Sequence, residues 1–280
     1  MYSVPKSSPD LFKLCAQSLN KSGEDLGTEY IIDLLNKFEL SVDQQKALSE
    51  YCREQGILYM CTPWDSKSVD VLESFLVPAY KVASADLTNL PLLDKLSKTQ
   101  KPLILSTGMS SSKEIQISSD FLNKRKVDFV FLHCNSTYPA PLHDVNLNWI
   151  NKLKEIHPLV GYSGHERGIN VTLAAVAIGA KVIERHFTID RMMEGPDHAA
   201  SLEFDEFSNM IKGIREIEEA LGGANLKERA LSQGEMINRE NLGKSLVASK
   251  PLSKGTILGS EDIKVLSPGQ GLSPQNYEAL

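Results

Sequence analysis

With 280 residues, of which 41% are hydrophobic, the chain is long enough for one barrel-sized domain and a small appended module. Its formal net charge of −6, without a dense cluster of Lys or Arg, excludes nucleic-acid or membrane binding through a broad basic surface. We find no apolar run of membrane-spanning length and no signal-peptide pattern, and the four scattered cysteines are typical of reduced thiols. We therefore expect a cytoplasmic protein.

The composition changes along the chain in four steps. Residues 1–40 are polar without a sustained period, which predicts an irregular lead-in, and residues 41–223 alternate between strand-like and helix-like patterns. Residues 224–240 are polar and predict a linker. Residues 241–280 open a second pattern of short strands and turns, which predicts a partial second domain.

Strands and helices are predicted in strict alternation from residue 41 onward. A capping box from Ser41 to Gln44 begins the first helix, and Gly222 and Gly223 end the last one. The predicted helices are 41–55, 66–75, 90–97, 112–122, 145–156, 171–179 and 204–221. The predicted strands are 57–62, 79–84, 102–107, 129–135, 159–162 and 181–187. Such alternation indicates a parallel sheet, either doubly wound or closed as a (β/α)8 barrel.

Polar residues at or just past successive strand ends favour the barrel over the open sheet. A barrel draws its active site from many strand ends, whereas a doubly wound sheet concentrates it at one switch point. The absence of a glycine-rich nucleotide loop agrees with this interpretation. Six strands are predicted, however, and a closed barrel has eight. The strand-end residues are Lys81, Ser84, Asp86, Ser106, Ser136, Tyr138, Ser163, His165, Glu184 and His186.

Two of these residues form a candidate metal pair. His165 and His186 follow consecutive predicted strands and lie 21 residues apart, one β-α-β repeat. Because parallel strands of one unit end at the same rim, the two imidazoles are expected to meet there with Glu184 beside them. Such a set suits a divalent ion with open positions. For each histidine, a structural, hydrogen-bonded role remains the alternative.

In order and spacing, the motifs of residues 80–198 closely resemble those of the sialic acid synthases. These enzymes condense phosphoenolpyruvate with an N-acyl hexosamine to make a nine-carbon 2-keto sugar acid. The resemblance implies an α/β fold of the (β/α)8 TIM-barrel type, incomplete because its first two strands are missing, followed by a partial antifreeze-like (SAF) domain. The motifs are YKVASAD at 80–86, LSTGM at 105–109, LHCNSTYP at 132–139, GYSGH at 161–165, IERHFT at 183–188 and GPDH at 195–198.

The same resemblance implies a role for each site residue. His165 and His186 would ligate a divalent metal ion, Mn²⁺ or Mg²⁺, that activates the sugar aldehyde. Asp86 and Glu184 would be catalytic, Asp86 by managing the proton of a water molecule. Phosphoenolpyruvate would be bound by Lys81, Ser84, Ser106 and Ser163, and the sugar by Ser136, Tyr138 and Asp197. Structural roles are expected for His133, Cys134 and Arg185.

Several questions of function stay open at this point. The resemblance implies a homodimer in which the SAF domain covers the active site of the partner. The missing strands favour an alternative, a truncated and catalytically silent homologue that acts as a binding subunit and folds poorly by itself. A metal-dependent pyruvate aldolase is a further alternative. The resemblance implies an acceptor that is N-acetylmannosamine, its 6-phosphate or a bacterial diamino sugar.

Overall fold

The computed structural model describes residues 36–195, 197–223 and 228–279. The chain divides between Gly222 and Gly223 into two compact units. Most of the irregular lead-in expected at 1–40 lies outside the described residues, and residues 36–38 within it are helical. In the described part of the chain, no helix is both long enough and apolar enough to cross a membrane.

The first unit contains a five-stranded parallel sheet. Its strands are β1 (Tyr80–Val82), β2 (Leu103–Ser106), β3 (Phe129–Cys134), β4 (Val160–Gly164) and β5 (Ile183–Arg185). They lie in chain order across the sheet, each paired in parallel with the next. A doubly wound sheet reverses its strand order at a switch point, whereas a barrel wall does not. The described sheet is therefore a half-barrel, as the predicted incomplete barrel requires.

Helices precede, separate and follow the strands at positions close to those predicted. They are α1 (Val42–Glu54), α2 (Ser66–Ser74), α3 (Leu90–Ser97), α4 (Ser112–Arg125), α5 (Leu142–Val145), α6 (Trp149–Ile156), α7 (Asn170–Ala177) and α8 (Phe204–Leu221). The capping box at Ser41 is present, with the Gln44 amide donating to Ser41 Oγ at 3.2 Å. The single helix predicted at 145–156 is wrong. Asn146 adopts a left-handed conformation with φ of 48° and separates α5 from α6.

The strand predicted at 57–62 is also wrong, because residues 58–62 have no regular secondary structure. Tyr59 and Cys61 are half-buried and pack against the core, whereas Leu58 and Met60 are exposed. The alternation that suggested a strand is therefore real. Alternation specifies which face is buried, but a strand also needs backbone hydrogen bonds to a neighbour, and within the described residues this segment joins no ladder.

The two faces of the half-barrel differ in chemistry. On the outer face, Leu105, Phe131 and Tyr162 are buried against the helices. On the inner face, Cys134, Ser163 and Glu184 stand side by side in one row of the sheet. Successive side chains of a strand point to opposite faces. The strands therefore bury an apolar core on the outside, and near their carboxyl ends they carry polar side chains on the inside.

The second unit is small and contains one antiparallel strand pair. Strand β6 (Ser245–Ala248) pairs with β7 (Ile263–Leu266), and a 3₁₀ turn at Ser260–Asp262 precedes β7. Helix α9 (Gln233–Leu242) begins at a capping box formed by Ser232 and Glu235. Part of the segment predicted as a linker is thus helical, which the capping-box spacing in its sequence accounts for.

Candidate active site

Three of the residues predicted to bind phosphoenolpyruvate surround one carboxylate oxygen. Ser163 Oγ donates to Glu184 Oε2 at 2.6 Å, and Ser106 Oγ lies 3.5 Å from the same oxygen. Lys81 Nζ is also 3.5 Å from Glu184 Oε2. Two members of the cluster, Lys81 and Glu184, also line a cavity of about 350 Å³. One ammonium and two hydroxyls thus form a compact anion-binding set, in which the Glu184 carboxylate is the anion.

Ser84 and Ser136 lie in a second, tightly packed group around Gly108. The Gly108 amide donates to Ser84 Oγ at 3.1 Å, and Ser84 Oγ lies 3.6 Å from Cys134 Sγ. A Cβ atom at Gly108 would overlap Ser136 Oγ and would lie 2.9 Å from both Cys134 Sγ and Ser84 Oγ. Glycine is needed here for space, so that the backbone can approach three side chains at once.

The two histidines of the candidate metal pair meet as expected. The ring centroids of His165 and His186 are 5.2 Å apart. Tyr138 packs against both, with centroid distances of 4.0 Å to His165 and 5.6 Å to His186. Asp197 Oδ2 lies 3.8 Å from His186 Nδ1. Four residues predicted for the metal and sugar subsites therefore form one cluster.

The donor chemistry of this pair fits a divalent ion. His165 Nδ1 lies 2.6 Å from the Asn135 carbonyl oxygen, which can only accept, so Nδ1 carries the proton and Nε2 offers its lone pair. Burial lowers the pKa of both His165 and His186, which favours the neutral imidazoles that a metal needs as ligands. Across 36–195, 197–223 and 228–279, no three His, Cys, Asp or Glu side chains form a ready ligand group. Two histidines are a partial set, which would be completed by water and substrate oxygens.

Asp86 lies at the end of the 3₁₀ turn that follows β1 and is buried. Asn89 Nδ2 donates to its Oδ1 at 2.9 Å, and among the described residues its Oδ2 has no hydrogen-bond partner. Burial raises the pKa of this carboxyl group. The structure thus places Asp86 in a setting suited to holding a proton, two residues beyond Ser84.

Three contributors to the site were not among the predicted functional residues. Gly108 supports Ser84, the Asn135 carbonyl fixes the tautomer of His165, and Cys134 Sγ lies 3.8 Å from His165 Nδ1. Cys134 was expected to be structural, yet it lies between the two groups. No sequence signal identifies these roles, since each depends on a distance between neighbouring strands.

Comparison with known proteins identifies the family. A family model described as the NeuB family matches residues 12–226. The chain belongs to this family. A SAF domain model matches residues 243–280, as expected for the second unit. The predicted family, barrel-type fold and C-terminal SAF domain are thereby confirmed.

Relatives of this NeuB-family chain include named synthases. It is 40% identical to the N,N'-diacetyllegionaminic acid synthase of Campylobacter jejuni, over 88% of this chain and 74% of that protein. It is 39% identical to the human N-acetylneuraminate-9-phosphate synthase, over 85% of this chain and 66% of that protein. The crystal structure of N-acetylneuraminic acid synthetase from Leptospira borgpetersenii, in complex with citrate, superposes with a TM-score of 0.71. It has 33% identity and the match covers 78% of this chain and 75% of that one.

Proposed function

We propose that this chain condenses phosphoenolpyruvate with an N-acyl hexosamine to form a nine-carbon 2-keto sugar acid and phosphate. The observation that carries the proposal is the convergence of Lys81, Ser106 and Ser163 on one oxygen of Glu184, whose strand β5 is followed directly by His186 of the histidine pair. The first group suits an anionic enol substrate, and the second suits a polarised aldehyde oxygen.

The anion-binding set is well matched to phosphoenolpyruvate. Carboxylate and phosphate oxygens accept hydrogen bonds from the same donors that now hold Glu184. On substrate binding, the Glu184 side chain would turn away, because two anions repel in one set of donors. This side chain is 40% exposed, so it has room to move toward the cavity. Ser84, held by the Gly108 amide, would supply a further hydroxyl.

The sugar aldehyde would lie beside the histidine pair. His165 Nε2 and His186 would hold Mn²⁺ or Mg²⁺, which when bound polarises the aldehyde carbonyl as a Lewis acid. Tyr138 packs on both imidazoles and would limit the access of water to them. Asp197 would orient His186, and together with Ser136 it would offer hydrogen bonds to the sugar hydroxyls.

The chemistry then balances with one water molecule. C3 of the enol attacks the aldehyde carbon, whose oxygen becomes a hydroxyl by taking a proton. Water adds to the cationic C2 and passes a proton to Asp86, whose buried Oδ2 has no partner among the described residues and can hold it. The C2–O bond to phosphate breaks, phosphate leaves, and loss of the remaining hydroxyl proton gives the ketone. Glu184 would direct this water molecule.

Phosphate release tests the proposal and separates it from its alternatives. The chain is incubated with phosphoenolpyruvate and Mn²⁺, and with N-acetylmannosamine, its 6-phosphate or a 2,4-diamino sugar as acceptor. We expect acceptor-dependent phosphate release with one acceptor strongly preferred, and loss of metal dependence together with activity in His165→Ala. A folded chain that releases no phosphate with any acceptor would instead be the silent homologue. Turnover of pyruvate without phosphate release would indicate an aldolase.

Two properties implied by the family resemblance are part of the same proposal. We infer a homodimer in which the SAF domain of one subunit covers the site of the other, and a cytoplasmic location that matches the reduced cysteines. Light scattering of the purified chain measures whether it is a dimer. A monomer at assay concentrations with full activity would contradict it.

A further inference from the structure

A buried polar network lies on the outer face of the half-barrel, directly behind the histidine pair. Arg185 and Glu166 form an ion pair at 2.8 Å, with side chains 0% and 1% exposed. Tyr162 OH donates to the second carboxylate oxygen of Glu166 at 2.6 Å. Arg185 also donates to Thr172 Oγ1 at 2.8 Å and to the Gly168 carbonyl at 2.8 Å. The network therefore joins β4, β5, α7 and the loop between β4 and α7.

Each main member of the network is the chain neighbour of a site residue. Tyr162 precedes Ser163, Glu166 follows His165, and Arg185 lies between Glu184 and His186. Since successive strand residues point to opposite faces, the network and the site are the two sides of the same strand ends. A shift in the network would move the backbone that carries both imidazoles.

The packing leaves little freedom for such a shift. A Cβ atom on Gly164 would lie 2.8 Å from Glu166 Oε2, 2.8 Å from Tyr162 Cε1 and 2.9 Å from Arg185 Cδ. Arg185 Nη2 also donates to the Glu166 backbone carbonyl at 2.6 Å, so the guanidinium holds the main chain beside His165 as well as the Glu166 carboxylate. A planar guanidinium fixes both contacts in one geometry.

We propose that the Glu166–Arg185 pair, braced by Tyr162, is a positioning clamp that sets the separation of His165 and His186 for metal binding. The inference rests on the proposed metal role of the two histidines. A stabilising role alone would not require the Glu166–Arg185 ion pair to join the strand ends that carry the two histidines. Loss of outer contacts that orient metal ligands commonly costs 10–100-fold in metal affinity.

The test compares Mn²⁺ affinity and thermal stability in four variants of the chain. Glu166→Gln keeps the shape and removes the charge, while Tyr162→Phe removes one brace and leaves the ion pair intact. Asp94→Asn is the matched control, because Asp94 accepts from Arg125 at 2.7 and 2.9 Å on the outer helices α3 and α4. His165→Ala reports whether Mn²⁺ binds at the pair. Metal affinity is measured by titration calorimetry.

We expect Mn²⁺ binding to weaken about 10–100-fold in Glu166→Gln, severalfold in Tyr162→Phe and not at all in Asp94→Asn. A lower melting temperature with unchanged Mn²⁺ affinity in both clamp variants would overturn the proposal and leave a purely structural network. If Glu166→Gln does not fold, Tyr162→Phe decides by the same criterion.

A metal-free measurement separates failure of the clamp from failure of the proposed function. If His165→Ala binds Mn²⁺ as well as the parent does, the metal assignment is wrong. The clamp is then judged by the nuclear Overhauser effect between the His165 and His186 rings, whose centroids are 5.2 Å apart. Loss of this Overhauser effect in Glu166→Gln supports a clamp on the two strand ends, and full retention of the effect contradicts the clamp.

Discussion

Lys81 carries a positive charge on strand β1, and the residues around it in the fold are mostly apolar. Its side chain is 13% exposed, and a cation in that setting needs an anionic partner. Glu184 is the partner in the structure, and an enol phosphate would take its place in the proposed reaction. The requirement for an anion was predictable from sequence, since Lys81 lies between Tyr80 and Val82. The identity of the anion was not predictable.

Replacing this lysine should weaken substrate binding with little effect on stability. We expect Lys81→Met to raise KM for phosphoenolpyruvate about 10–100-fold, because a hydrogen bond to a charged group contributes about 1.5–3 kcal/mol. Steady-state kinetics with varied phosphoenolpyruvate measures the effect. Lys101→Met is the matched control. Lys101 forms an ion pair with Glu73 at 2.6 Å, and neither residue lines the site cavity. An equal rise in KM in both variants would remove Lys81 from the substrate site.

A methyl group at Gly108 should disrupt the site more than the fold. Because its Cβ would overlap Ser136 Oγ, we expect Gly108→Ala to cost about 1–3 kcal/mol of unfolding free energy. Displacement of Ser84 and Ser136 should lower kcat/KM about 100-fold. Gly234→Ala in α9 is the control, because no atom of the described residues lies within 4 Å of its added Cβ. Kinetics like those of the parent in Gly108→Ala would show that the packing of Ser84 and Ser136 around Gly108 has no role in catalysis.

At the scale of elements, predictions succeeded where local chemistry determines the outcome. Helix α3 was predicted at its observed bounds, and α1 begins at its capping box, because caps and apolar spacing act within a few residues. Residues 57–62 and 145–156 were predicted wrongly. Ladder pairing depends on a partner distant in sequence, and the left-handed Asn146 lies inside an otherwise helical pattern.

Strand β3 carries a buried histidine that should make stability depend on pH. His133 Nε2 lies 2.6 Å from the Val145 carbonyl oxygen and so carries the proton, while among the described residues Nδ1 has no partner. Burial lowers the pKa of His133 below 6.5. The unfolded chain therefore takes up a proton, and the folded chain does not, between that lowered pKa and 6.5. Stability should fall as the pH is lowered through this window.

His133→Gln keeps a donor for the Val145 carbonyl and removes the titrating ring. Unfolding by urea at pH 7.5 and 5.5 should show a smaller loss of stability in the variant, by up to about 1.4 kcal/mol per pH unit. Other groups with shifted pKa values, including His165, His186 and Asp86, are common to both proteins and cancel in the difference. Equal pH dependence in the two proteins would contradict the assignment of His133.

For the whole first unit, the parallel half-barrel explains why the predicted site residues meet. Lys81, Ser163, His165, Glu184 and His186 come from three strands, and the parallel topology brings their ends to one rim. Their convergence was therefore predictable from the alternating pattern. The Glu166–Arg185 pair was not predictable, because nothing in the sequence indicates that two opposite charges 19 residues apart meet in a buried network.

The most direct test of the central claim follows the bridging oxygen of phosphoenolpyruvate. Substrate labelled with ¹⁸O between C2 and phosphorus is turned over with Mn²⁺ and the preferred N-acyl hexosamine, and the released phosphate is analysed by mass spectrometry. Cleavage of the C–O bond leaves the label in phosphate, and the nine-carbon acid forms in equal amount. Unlabelled phosphate, or labelled phosphate without the nine-carbon acid, would contradict the proposed condensation.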